Sequence, residues 1–265
     1  MDPRDPGELR RTFDSVAERY DRARPGYPAA VFEEIAAFAR LGVDSRVLEV
    51  GPGTAQATVP LAQRGYRVVA VELGPQLAAV ARRRLVGYPK VDVFVASFEE
   101  WPLPPEPFDA VIFATAFHWI DPEIRLAKAG DALRRGGTLA IIGTQHVAGA
   151  TEQFFVDVQE CYERWDPTTP PGLRLPLASE VVIDTEELDR SGRFGPVTLR
   201  TFEWEAVYST AQYLDLLLTY SGHLALEPDA RQHLLDCIGL LIADRYGGQI
   251  VKRYLTDLRL ARKTD

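Results

Sequence analysis

The stretch 46–61, RVLEVGPGTAQATVPL, constrains the fold of this chain more than any other, because it reads as strand, glycine turn and helix in one line. Val47, Leu48 and Val50 form a short apolar run with β-branched members, which suits a parallel strand covered on both faces. Glu49 interrupts that run. Gly51 and Gly53 remove two Cβ atoms where the backbone must turn sharply, and Thr54 is a plausible N-cap for a helix from Ala55. The helix N-terminus then faces whatever the glycines admit. Two glycines alone fit a tight turn equally well, so the context has to decide.

That context lies downstream. A second apolar run, 66–71 (YRVVAV), ends in Glu72, about twenty residues after the glycine turn, the spacing at which an acid meets a ribose diol in dinucleotide folds. Both carboxylates fall at the C-terminal ends of strands, the edge at which open α/β sheets hold their ligands. VLEVGPGTA followed by VVAVELGPQLAAVARRRL resembles the first cofactor motif and its successor in class I S-adenosylmethionine-dependent methyltransferases, of the type that acts on small molecules. The resemblance implies that Glu49, Gly51, Pro52, Gly53 and Thr54 line the methionine part of S-adenosylmethionine. It places Glu72 on the ribose hydroxyls, with Leu73 beside it.

The same resemblance extends along the chain. SFEEWP after the third strand stands where the family receives adenine, with Ser97 in place of the usual aspartate and with Phe98 and Glu99 following. A serine hydroxyl can still accept from the adenine amine but lacks the charge, so part of that recognition passes to backbone groups at Phe98. Trp101 reads as packing. The phrase TAFHWID after the fourth strand resembles the hydrophobic-His-Trp ending of many relatives, which sets Thr115, Ala116, Phe117 and Trp119 beside the cofactor. His118 in that phrase is a candidate general base, or a residue that orders the loop or binds the cofactor carboxylate. FDSVAERYDRARPGYP resembles an N-terminal segment that folds over the cofactor as a lid, carried here by Phe13, Tyr20 and Tyr27. The same aromatics on one helical face can instead staple the helix to the core.

Periodicity fills in the rest. Leu9, Phe13, Val16, Ala17 and Tyr20 predict a helix over 8–20, and further helices are expected at 29–41, 55–64, 75–85 and 122–134. Strands are expected at 91–96, 108–114 and 137–143. Beyond His146 a helix at 151–165 leads into the proline-rich loop DPTTPPGLRLP, and long strands at 197–208 and 249–260 enclose helices at 211–220 and 229–245. The expected architecture is a doubly wound, mostly parallel, seven-stranded Rossmann-like α/β sheet with an antiparallel final strand and added helices over the active-site edge. We read one domain. Residues 1–28 are its lid segment, 29–145 its cofactor core, 146–196 and 209–248 insertions on the acceptor side, and 197–208 with 249–262 its closing strands.

Composition narrows the class further. A net charge of −8 opposes non-specific phosphate binding, so a nucleic-acid partner is not expected. No secretory leader and no long uncharged apolar run is apparent, which points to a cytoplasmic protein without a membrane partner, monomeric or homodimeric. Cys161 and Cys237 are two and far apart, so reduced buried thiols are the expectation, and the four histidines lack metal-ligand spacing, so no metal is assigned. A nicotinamide-dependent dehydrogenase shares strand, glycine turn and distant acid. Against it, Gln56 stands where the third glycine of G-x-G-x-x-G belongs, and Glu49 would repel a pyrophosphate. A binding protein that keeps the cofactor loop without chemistry is the other alternative.

Overall fold

The alternation of apolar runs with amphipathic helices builds a parallel sheet, and its order decides where a ligand can bind. A computed structural model describes residues 12–264. Its strands are β1 (Arg46–Val50), β2 (Arg67–Glu72), β3 (Val91–Val95), β4 (Phe108–Ala114), β5 (Leu133–His146), β6 (Thr198–Ser209) and β7 (Gln249–Arg262). They form one seven-stranded sheet in the order β3-β2-β1-β4-β5-β7-β6, with β7 antiparallel. The doubly wound expectation is met. β1 lies between β2 and β4, so the chain winds outward in opposite directions from it and leaves a crevice at its C-terminal end.

Register then levels that edge. Val50 of β1 is opposite Val71 of β2 and Phe113 of β4, so the loops after all three strands leave the sheet at the same height. On one face Leu48 and Val50 pack with Phe98, Phe113 and Phe117; on the other Val47 packs with Ala110, Ile112 and the helix Ala29–Ala39 through Val31, Phe32 and Ile35. Burying each of these large side chains contributes roughly 1.5 to 3 kcal/mol, which ties the loops to a stiff floor.

Local chemistry moved several boundaries. The helix after the glycine turn starts at Thr58, not Ala55, and its N-cap is Ala57 without a side-chain bond, so Thr54 is not the cap. The reason is the backbone: Ala55 has φ +74°, a left-handed conformation that cannot open a helix. The helix from Ala29 ends at Arg40, itself left-handed, two residues before the glycine expected to stop it. The span 151–165 is two helices, Glu152–Asp157 and Gln159–Trp165. The N-terminal helix runs as a 3-10 turn over Phe13–Val16 and an α-helix over Ala17–Ala23, while Glu8 and Leu9 lie outside the described residues.

Two compact units result. The larger comprises Gly26–Thr144, Val182–Phe202 and the described residues from Thr256 onward; the smaller comprises 12–25, Gln145–Val181 and Glu203–Leu255. The smaller unit has its own core of Phe154, Tyr213, Leu216, Leu234, Ile238 and Tyr254. It also overturns the expectation of free thiols. Cys161 and Cys237 form a disulfide with their Cα atoms 5.8 Å apart, joining the helix Gln159–Trp165 to the helix Pro228–Arg245. Four residues further along one helix and four back along the other, Trp165 stacks on His233 at 4.5 Å, so the two helices meet along antiparallel faces. Sequence separation had hidden the pair. No helix among the described residues is long and apolar enough to cross a membrane.

Candidate cofactor site

The end of β1 supplies the first two parts of the site, a buried acid and a cradle. Glu49 has no exposed surface, and among the described residues neither carboxylate oxygen has a hydrogen-bond partner. Burial raises its carboxyl to about 7, opposed by the nearby Thr58 hydroxyl and helped, to a lesser degree, by the charge of Glu72. Such a group calls for a cation or a donor from outside the protein. Gly51 follows with φ +67°, and a Cβ there would stand 2.7 Å from the Ala116 Cβ. Only glycine lets the two loops approach.

Glu72, at the end of β2, braces that cradle. Its Oε2 accepts from the Gly53 amide and its Oε1 from the Gly74 amide, each at 2.9 Å. Pro52 is buried and Leu73 half-buried at the same edge. Thr54, fully buried, accepts from the Gln56 amide at 2.7 Å instead of capping a helix.

After β3, the Ser97 hydroxyl donates to Glu99 Oε2 at 2.7 Å, and Lys128 donates to the Glu99 carbonyl at 2.9 Å. The serine proton is therefore committed, and its lone pairs are left to accept. Phe98 is buried edge-on against Phe113 at 5.8 Å. Trp101 lies in the core beside Phe94, as packing.

After β4 the chain makes a strained step at Thr115, φ +52°, whose hydroxyl bonds the Ala114 carbonyl and lies 2.9 Å from the Tyr27 hydroxyl. Tyr27 thus reaches this edge. The turn Phe117–Trp119 follows, with Phe117 buried under the Arg125 guanidinium at 4.1 Å and its carbonyl held by the same arginine. Glu187 in turn pairs with Arg125 through both oxygens. That clamp had no sequence signal, since the pair is 62 residues apart. His118 points outward, tilted on Trp119 at 4.7 Å. Surrounding protein and the Arg125 and Arg259 charges lower its pKa, so the imidazole is neutral at pH 7.

Glu49, Gly51, Glu72, Ser97 and Thr115–Trp119 thus share one sheet edge. Phe13 and Tyr20 belong to the smaller unit, where their rings meet edge-on at 6.0 Å. Among the described residues no cluster of His, Cys, Asp or Glu could hold a metal.

Residues 48–141 match the family model described as a methyltransferase domain. The chain is 35% identical over 131 residues to an uncharacterized methyltransferase of Mycobacterium tuberculosis, covering 49% of this chain and 51% of that one. It therefore spans about half the length of the mycobacterial relatives it matches. An uncharacterized methyltransferase of Geobacillus kaustophilus is 29% identical over 59% of this chain and 80% of its own. Two solved structures share the fold: a type II methyltransferase candidate from Anaeromyxobacter dehalogenans, at TM-score 0.64 and 24% identity over 90% of this chain and 97% of that one, and a Haemonchus contortus phosphoethanolamine N-methyltransferase complexed with phosphomonomethylethanolamine and S-adenosylhomocysteine, at TM-score 0.56 and 18% identity over 100% of this chain and 61% of that one.

Proposed function

We propose that this chain, a member of the class I S-adenosylmethionine-dependent methyltransferase superfamily, transfers a methyl group from that cofactor to a small-molecule acceptor. One observation carries the reading: a fully buried carboxylate with no hydrogen-bond partner among the described residues, Glu49, stands beside a glycine turn that leaves no room for a Cβ. S-adenosylmethionine supplies an electrophilic methyl on a sulfonium together with an ammonium. Glu49 would meet the cationic end, Glu72 the ribose hydroxyls, and Ser97 with the Phe98 backbone the adenine. Thr115 to Trp119 would wall the transfer edge. Displacement at carbon asks the protein chiefly to hold donor and acceptor about 3 to 3.5 Å apart and to exclude water.

Calorimetry tests the assignment directly. S-adenosylhomocysteine is expected to bind and NAD not, because a pyrophosphate brought to Glu49 meets an acid; the reverse preference would remove the proposal. Glu72→Ala is expected to weaken S-adenosylhomocysteine by about tenfold to hundredfold for each charge-assisted bond lost, a bond of this kind being worth roughly 1.5 to 3 kcal/mol. Unchanged affinity would take Glu72 out of the site.

We assign His118 the base's role for acceptors that must lose a proton. Its ring packs on Trp119 and, being neutral, can accept one. His118→Ala is expected to leave S-adenosylhomocysteine affinity unchanged while lowering kcat by about 10² to 10⁴ and removing the acid limb of the pH profile. Weaker cofactor affinity with an unaltered profile would make it a binding residue instead.

A further inference from the structure

The smaller unit holds a buried cation, Lys252, and a half-buried one, Arg24, against aromatic rings. Lys252 on β7 is 4% exposed, and its ammonium lies 5.1 Å from the Phe155 ring centre, 5.8 Å from Tyr213 and 5.6 Å from Tyr254. Among the described residues no carboxylate pairs with it. Arg24 spends Nε and Nη2 on the Thr219 hydroxyl and carbonyl and lies over the Tyr20 and Tyr220 rings, and among the described residues no carboxylate pairs with it. Several acids of this unit are engaged elsewhere. Glu203 and Glu205 pair with Arg253, Asp157 with Arg245 and Tyr246, Asp215 with Arg19, and Asp166 with Thr168 and Thr169. Aromatic faces attract a cation but do not neutralise it.

Polar groups surround the same cluster, with the Tyr220 hydroxyl 3.4 Å from His146 Nε2. His146 lies 5.4 Å from the Tyr220 ring and 5.6 Å from Tyr254, and the Tyr254 hydroxyl shares a 2.9 Å hydrogen bond with that of Tyr208. Burial keeps the phenols of Tyr208, Tyr220 and Tyr254 protonated and His146 neutral, so no negative charge arises from them at pH 7. Two cations, phenolic O–H donors and aromatic walls describe a receptor for a flat anion. With two of its nitrogens committed, Arg24 offers few donors, which suits a carboxylate better than a phosphate dianion.

We propose that the smaller unit binds the carboxylate of a small organic acid at Lys252 and Arg24, with tyrosine hydroxyls as further donors. The site stands on this unit alone and goes beyond the methyl-transfer reading.

Lys252 gives the site a distinctive signature. Burial first, then Arg24, lowers its pKa to about 7, and the other titratable groups around it, His146, His223, Tyr213 and Tyr254, carry no charge that would restore it. An arriving carboxylate favours the ammonium. Binding at pH 8 should therefore take up close to one proton, and affinity should fall about tenfold per unit as pH rises above that pKa.

Isothermal calorimetry of the full chain without cofactor, using acetate, benzoate and citrate at pH 8 in two buffers of different ionisation enthalpy, tests this. At least one acid is expected to bind with proton uptake, while benzamide does not. Lys252→Met should keep its fold by circular dichroism, lose the uptake and weaken the acid at least tenfold; Lys252→Arg should retain binding without uptake. If none of the three acids binds at millimolar concentration, or if the wild-type protein binds without taking up a proton, the proposal is overturned, even where a variant fails to fold. S-adenosylhomocysteine binding, titrated separately, tells a failure here from a failure of the methyltransferase assignment.

Discussion

Replacing Cys161 and Cys237 together by serine is expected to lower the stability of the smaller unit by about 4 kcal/mol. The bond closes a loop across a sequence separation of 76 residues, and in the chain-entropy description a cross-link of that span removes about 4 kcal/mol of freedom from the unfolded chain. Packing at the joined helices is already good, with Trp165 stacked on His233 and Leu234 and Ile238 fully buried. Serine leaves those contacts in place, so the loss should come mainly from the unfolded state. Urea unfolding of the double variant, followed by fluorescence in a background where Trp165 and Trp204 are the only tryptophans, reads the unit directly. A midpoint equal to that of the disulfide-bonded protein would show that its unfolded chain is compact enough to need no cross-link. Wild-type protein kept in reductant should behave as the serine variant does.

What was legible in the sequence follows from what is local. The run VLEV, the glycines at 51 and 53, and the acid at Glu72 are close in sequence and each dictates its own backbone, so β1, the turn and β2 emerge as read. β4 was read with its observed ends for the same reason. The helix start was not. Nothing in GTAQAT announces that Ala55 takes a left-handed conformation, because that choice is imposed by packing around a residue with no exposed surface. The disulfide, the Arg125–Glu187 clamp and the meeting of Arg24 with Lys252's cluster are products of tertiary folding. Each joins residues whose local patterns say only "helix face" or "strand", so no periodicity could have paired them.

The buried acid at the heart of the site should govern how the cofactor-free protein responds to pH. Glu49 titrates near 4.5 when solvated and at about 7 in the fold. Between those values the folded state binds more protons than the unfolded one, so stability falls as pH rises, by up to about 3 kcal/mol across the interval. Below 4.5 the contribution is whole; above 7 it is lost. Glu49→Gln keeps the shape and cannot ionise, so it should be more stable than wild type at pH 8 by a similar amount and equal to it near pH 4.5. Thermal or urea unfolding at both pH values checks this, and a variant that tracks wild type at pH 8 would mean that Glu49 is hydrated or paired in solution. The same substitution should act oppositely on binding. An ammonium delivered to Glu49 draws the carboxylate into its charged form, so S-adenosylhomocysteine should bind the wild type with release of a proton near pH 6 and bind Glu49→Gln at least tenfold more weakly. A gain in stability joined to a loss of affinity is the signature of a charge held in place for its ligand, because a residue kept for the fold alone would lose stability when its chemistry was removed.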